Sequence, residues 1–227
     1  MNRICLDYGH GGSDPGAVYK ARCEKDDVLR IGLAVASEVR RHGVLVDETR
    51  TTDSTLSLKN RSDMENKKTY DYFISIHRNA FKPEAAQGVE TFTYINQTEK
   101  AKSLADKIQK ELVAIGLRNR GIKKANFHVL RETKAPAVLV EIGFIDNTQD
   151  NKLFDNKFNE IVEGITKAIL LQLGVVYKGL TQSPPASNNQ TLYRVMAGSY
   201  SIRENAENQV AKLKKSGFDA TIMIFKP

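Results

Sequence analysis

Residues 72–77 read Tyr-Phe-Ile-Ser-Ile-His, an apolar run that ends on a histidine. The run is apolar enough for a strand buried on both faces, which is the habit of a parallel strand inside an α/β sheet. Other segments of strand character lie on either side. Residues 3–7 and Val44-Leu45-Val46 precede it, and Val89 to Ile95 alternates as Val-Glu-Thr-Phe-Thr-Tyr-Ile. Val129-Leu130 and Ala137 to Val140 read as two more short strands. Between them apolar residues recur at helical spacing. Val28, Ile31, Val35 and Val39 mark a helix from Glu24 to about Arg41, closed by Gly43. Leu56 to about Lys67, residues 98–115 (through Ala101, Leu104, Ile108, Leu112 and Ile115) and about Phe158 to Leu173 complete the set. Strands alternating with helices predict an α/β fold, an open, mostly parallel sheet with helices on both faces.

With 227 residues, 41% hydrophobic and 27% charged, the chain is ordinary globular material able to bury a real core. A net charge of +7 and a pI of about 9.3 favour an anionic partner. Basic clusters such as Lys123-Lys124 and Lys214-Lys215 are short, and no Arg/Lys run is interleaved with aromatics, so nucleic acid is not expected as that partner. Cys5 and Cys23 make no disulfide framework and read as thiols of a reducing compartment. Met1-Asn2-Arg3-Ile4 lacks the layout of a signal peptide, and no segment approaches a membrane span. The expectation is synthesis in the cytoplasm without the usual export route, and no membrane insertion. After Val176 the composition changes. Gly179 to Gln190 is nearly without apolar residues and contains Pro184-Pro185. This predicts a large domain over 1–177, a linker over 178–190 and a small βαβ unit over 191–227. That unit has a strand at Leu192 to Ala197, a helix from about Glu204 to Lys215 and a strand at Ala220 to Phe225.

His10 follows the first strand inside Asp7-Tyr-Gly-His-Gly-Gly12; His77 ends the strand at 72–76, and Glu141 ends Val138-Leu-Val140. In an open α/β sheet, ligands bind outside the carboxyl ends of the strands, where these three converge. Glu24, opening the first long helix, reaches the same edge. Two imidazoles and a carboxylate suit a zinc ion with an open coordination position, and a further carboxylate is then placed to move the proton of an attacking water. Singly, each residue has an ordinary explanation. A histidine after a strand is commonly a hydrogen-bonded loop residue, and a glutamate in a first helical turn favours the helix dipole. Glu141 stands out, because a carboxylate directly after Ala137-Val-Leu-Val140 is costly to bury without a partner. His42 reads as a capping residue at a helix end and Cys23 as a bystander. No Gly-x-Ser-x-Gly nucleophile elbow is present.

These residues carry a resemblance. Asp7-Tyr-Gly-His-Gly-Gly-Ser-Asp-Pro-Gly-Ala17, Glu24, Thr49-Arg50, Ile74-Ser-Ile-His-Arg-Asn-Ala80 and Pro136-Ala-Val-Leu-Val-Glu-Ile-Gly-Phe144 with Asn147 occur in this order. The chain resembles the zinc-dependent N-acetylmuramoyl-L-alanine amidases of the Amidase_3 type over nearly all of residues 1–175. The resemblance implies zinc bound by His10, Glu24 and His77, with Glu141 as catalytic acid/base. It implies hydrolysis of the amide between the lactyl group of N-acetylmuramic acid and L-alanine in peptidoglycan. Asn79 and His128 are the implied substrate contacts, with a structural role equally open for His128. Tyr8 stands where a small residue is usual and Glu65-Asn66-Lys67 where an Ala-Asn pair is common. Neither is an implied ligand, so both are expected to bear on substrate preference.

The tail is similar to a SPOR peptidoglycan-binding domain, through Tyr193-Arg-Val-Met-Ala-Gly-Ser-Tyr200, Asn205-Ala206, Leu213-Lys-Lys-Ser-Gly-Phe218 and Ala220. It has half the usual length, and half a sheet leaves a strand edge open for pairing. The expectation is a homodimer in which two tails complete one wall-binding unit. The leading functional reading is a phage endolysin, with a mother-cell or other bacterial autolysin of the same activity, or a non-catalytic peptidoglycan binder, as alternatives.

Overall fold

Ile4, Leu6 and Tyr8 project to one side of β1 (Arg3–Tyr8), Cys5 and Asp7 to the other, and all five are buried. A strand buried on both faces belongs in the middle of a sheet, and the computed structural model places β1 there. It describes residues 1–179, 198, 200–218 and 220–222. A small hairpin follows β1, made of β2 (Val18–Tyr19) and β3 (Arg22–Cys23). Next come α1 (Glu24–Arg41), β4 (Leu45–Glu48), α2 (Leu58–Asn66), β5 (Tyr72–Asn79), β6 (Val89–Tyr94) and α3 (Glu99–Ala114). β7 (Asn119–Ala125), α4 (His128–Arg131), β8 (Ala137–Phe144), α5 (Thr148–Asn156) and α6 (Phe158–Gln172) complete the unit Met1–Tyr177.

Among the described residues one sheet has six strands in the order β4-β1-β5-β8-β6-β7. β4, β1, β5 and β8 are parallel; β6 pairs antiparallel with β8 and parallel with β7. The two faces are covered differently. On one, Ile4, Leu6, Ile74, Ile76, Val138 and Val140 pack with residues of α1, α3 and α6 into the main core. On the other, Cys5, Phe73, Ala137 and Leu139 pack with Val129 and Leu130 of α4 into a smaller cluster. α2 has little apolar surface and buries Arg61, Ser62 and Glu65 instead. His42 is the C-cap of α1, its Nδ1 2.9 Å from Glu38 O.

The predicted fold class is therefore observed, with corrections to single elements. Val129-Leu130 lies in α4 and not in a strand. Two apolar residues fit one helical turn resting on a sheet as well as a short strand. β7 was not predicted because Asn-Arg-Gly-Ile-Lys-Lys-Ala holds a single large apolar residue, the composition of a charged edge strand. α5 was missed for a similar reason; its start is set by Asn147, whose Oδ1 accepts from the N–H groups of Gln149 and Asp150 at 3.0 Å each.

In the second unit, Lys178–Pro227, α7 (Arg203–Lys215) matches the expected helix and ends on Lys212, Lys214 and Lys215. The strand expected at 192–197, most of the linker and most of the strand expected at 220–225 lie outside the described residues. No helix among the described residues is long and apolar enough to cross a membrane.

Candidate active site

The sheet register decides which polar side chains meet. Asp7 is level with Ser75, His77 with Glu141, and Glu141 lies opposite Glu90 across the antiparallel β8–β6 pair. Residues in register share a face, and side chains alternate along a strand. All five therefore stand on the α2/α4 face, beyond the apolar Cys5, Phe73 and Leu139.

His10 has φ 60°, a left-handed conformation that costs a residue with a side chain on the order of 1 kcal/mol. Two arginines hold the chain there. Arg50 donates from Nε to Tyr8 O and from Nη2 to Gly9 O, both at 2.9 Å. Arg61 donates from Nη1 to Tyr8 O and from Nη2 to His10 O, both at 2.6 Å. Arg61 is in turn fixed by buried Asp7, whose Oδ1 accepts from Arg61 Nη1 at 2.8 Å and Thr49 Oγ1 at 2.7 Å, and whose Oδ2 accepts from Ser75 Oγ at 2.7 Å. Burial alone would raise the Asp7 pKa, but Arg61 and these hydrogen bonds hold it below the usual carboxylate range.

Glu24, the first residue of α1, lies between the two histidines. His10 Nε2 is 3.1 Å from Glu24 Oε2 and His77 Nδ1 is 2.9 Å from Glu24 Oε1; one donor atom from each residue lies within 4.8 Å of the other two. The ligand-type residues are themselves oriented. Glu24 accepts from the N–H groups of Ala17 and Arg78 at 3.0 Å each, and His10 Nδ1 lies 2.8 Å from Asp14 Oδ2. Arg78 is anchored from Nη1 to Asp27 at 2.6 Å and from Nη2 to Asn151 at 2.8 Å.

The charges point the same way. Burial opposes a charge on His10, but Glu24 and Asp14 outweigh it and carry the imidazole up to about 9. His77 is raised against its burial by Glu24 and Glu141. Burial would favour a protonated Glu24, yet the two histidines drive it well below the usual carboxylate range. A site that gathers positive charge this firmly suits a divalent cation that displaces the imidazole protons. Two imidazole nitrogens and a carboxylate oxygen are donors that zinc takes. The space between them depends on two glycines. A Cβ at Gly9 would overlap the His77 ring, and one at Gly16 would stand 2.7 Å from both Glu24 Oε2 and His10 Cδ2. The residues fit the ion.

Glu141 is next to His77 in register, and its Oε2 is buried with no hydrogen-bond partner among the described residues. Burial pushes its carboxyl up to about 7, with His77 opposing and Glu24 and Glu90 adding to the shift. Such a carboxyl changes protonation near neutrality, as a general acid–base must.

The structure thus brings His10, Glu24, His77 and Glu141 together. Asn79 sits two residues beyond His77, with its Nδ2 on Glu90 Oε1 and its Oδ1 accepting from Ala80 N at 2.8 Å. His128 opens α4 and its Nε2 lies 3.1 Å from Ser62 Oγ. Both departures from the family pattern have structural roles. Tyr8 is buried in the main core with its hydroxyl on Glu48 Oε1 at 2.8 Å. Glu65 accepts from Lys134 N at 2.9 Å and Ala135 N at 3.0 Å, pinning the entry to β8. Asp7, Arg61 and Glu90 were not singled out from the sequence. Asp7 carried the cue that marked Glu141, a carboxylate directly after an apolar strand.

Comparison with known proteins bears on the family and the fold. The family described as N-acetylmuramoyl-L-alanine amidase matches residues 4–170, and the SPOR domain family matches residues 167–224. The chain is 33% identical to the sporulation-specific N-acetylmuramoyl-L-alanine amidase of Bacillus subtilis (strain 168), over 99% of this chain and 85% of that protein. It is 36% identical to the endolysin of Bacillus phage SPP1, over 80% of this chain and 69% of that protein. Its fold is similar to the catalytic domain of CwlV, an N-acetylmuramoyl-L-alanine amidase from Bacillus (Paenibacillus) polymyxa var. colistinus. That likeness has a TM-score of 0.72 and 36% identity, covering 78% of this chain and 100% of that one. The chain belongs to the N-acetylmuramoyl-L-alanine amidase family.

Proposed function

We propose that the chain hydrolyses the amide between the lactyl group of N-acetylmuramic acid and L-alanine, with zinc held by His10 Nε2, His77 Nδ1 and the Glu24 carboxylate. When bound, the ion supplies Lewis acidity toward the scissile carbonyl and lowers the pKa of water beside it. Glu141 takes the proton of the attacking water and passes it to the departing amine of alanine. Asp14 keeps the His10 ring in place, while the Ala17 and Arg78 N–H groups fix Glu24. The observation that carries this reading is the buried Glu141 Oε2, in register with His77 and without a hydrogen-bond partner among the described residues. Mass spectrometry of digested cell walls tests it. Stem peptides with a new N-terminal alanine support the amidase; a new amino terminus inside the stem contradicts it.

Asn79 and His128 are proposed as substrate contacts, since both border the sheet face that carries Glu141. The cellular role is proposed as lysis of peptidoglycan after release from the cytoplasm. The likeness to the SPP1 endolysin supports a phage enzyme. The likeness to the sporulation amidase over 99% of the chain, tail included, favours a mother-cell autolysin as the second reading. Transcription upon prophage induction or during sporulation separates the two. Pairing of two tails is the proposal for the SPOR region, and a monomeric mass by sedimentation across a wide concentration range would remove it.

A further inference from the structure

Glu90 is buried opposite Glu141, yet it is no member of the proposed metal site. Its Oε2 pairs with Arg120 Nε at 3.3 Å and with Lys123 Nζ, and its Oε1 takes Asn79 Nδ2. A bulge in the edge strand makes this possible. Val89 is level with Asn119 but Thr91 with Ile122, so Arg120 and Gly121 together oppose Glu90. The extra residue lets Arg120 and Lys123 reach one carboxylate, and bulges commonly re-aim side chains beside active sites.

Two cations share one carboxylate here, and among the described residues neither pairs with another acid. One positive charge in the trio is unmatched. Both cations are also reachable, with Arg120 30% and Lys123 42% exposed at the side chain. Their heads are positioned by aromatic rings, Arg120 over Phe144 at 4.8 Å and Lys123 over Phe92 at 5.9 Å.

We propose that Arg120 and Lys123 form a subsite for a carboxylate of the stem peptide, an inference that rests on the amidase reading above. Directly opposed residues in an antiparallel pair have Cβ atoms about 5 Å apart. The cations gathered on Glu90 therefore stand one side chain beyond the catalytic carboxyl. Two residues of extended peptide cover about 7 Å, enough to carry a carboxylate from the scissile bond to that charge. Glu90 holds the two cations in place, and the unmatched charge selects an anionic stem.

The test compares muropeptides whose stem carboxyl groups are left ionised or converted to primary amides. kcat/KM is measured on each with the metal-loaded full chain, for wild type, Lys123→Met, Lys123→Glu and Arg120→Gln. The readout is the ratio of kcat/KM on the ionised to that on the amidated substrate. A charge-assisted contact at a partly exposed site predicts a wild-type ratio of about 10. Lys123→Met and Arg120→Gln each lower the ratio several-fold, and Lys123→Glu takes it below 1. A wild-type ratio near 1, or variants that lose the same factor on both substrates, overturns the subsite. The same digests check the underlying reading. Its failure appears as wild-type products without an N-terminal alanine, whereas failure of the subsite alone leaves alanine release intact and the ratio flat.

Discussion

Asp7→Asn isolates the network that holds the His10 loop. The substitution keeps the size of the side chain and removes its charge. Asp7 and Arg61 are both buried, 2.8 Å apart, and the same carboxylate accepts from Thr49 and Ser75 at 2.7 Å each. Breaking one side of a buried pair costs roughly 3–5 kcal/mol. Arg61 keeps its bonds to Tyr8 O and His10 O, and an amide oxygen can still accept from a hydroxyl. The lower end, about 3 kcal/mol, is therefore expected at pH 7, read as the shift in unfolding free energy by urea titration. The pH dependence has a definite sign. The folded pKa of Asp7 is depressed below its ordinary value of 3.8, so the stabilisation is present above that pH and is lost as pH falls through the folded value. Between the unfolded pKa and the lower folded one, the penalty should shrink by about 1.4 kcal/mol for each pH unit of acidification. A penalty under about 1 kcal/mol at pH 7, or one equally large at pH 3, would refute the reasoning.

Three other outcomes follow from single contacts. Gly9→Ala places a methyl group on the His77 ring and should weaken zinc binding by about 100-fold in a dye competition assay, with the circular dichroism spectrum retained; unchanged affinity would contradict the cradle. Glu141→Gln should bind zinc as before while kcat falls about 10²–10⁴-fold, and metal loss in this variant would speak against its role as acid/base. Glu65→Ala leaves the Ala135 N–H group without its acceptor and the Lys134 N–H group on Asn66 Oδ1 alone, and should cost about 1–2 kcal/mol in thermal or urea unfolding, against no change if the loop is held otherwise.

The central sheet was legible because its strands are buried on both faces. Ile4 to Tyr8, Tyr72 to Ile76 and Ala137 to Val140 leave no polar alternation for another reading. The candidate site was legible from place, since His10, His77 and Glu141 each follow such a run. What escaped was polar or reached through side chains. β7 is stabilised by backbone pairing and by cations turned to Glu90, neither of which leaves an apolar pattern. Arg50 and Arg61 act on backbone carbonyls far from them in sequence, and a buried arginine has the same letter as an exposed one. Tyr8 and Glu65 looked like matters of substrate preference because the motif was read along the chain. In space, one fills the core and the other ties a loop.

The most direct test of the central claim is wall hydrolysis by the full chain before and after chelation, with zinc then added back stoichiometrically. The account predicts that release of stem peptides bearing an N-terminal alanine stops in the chelated protein and returns with one zinc per chain. It also predicts that His10→Ala neither binds the ion nor recovers. Undiminished release of those peptides from the metal-depleted protein would contradict it.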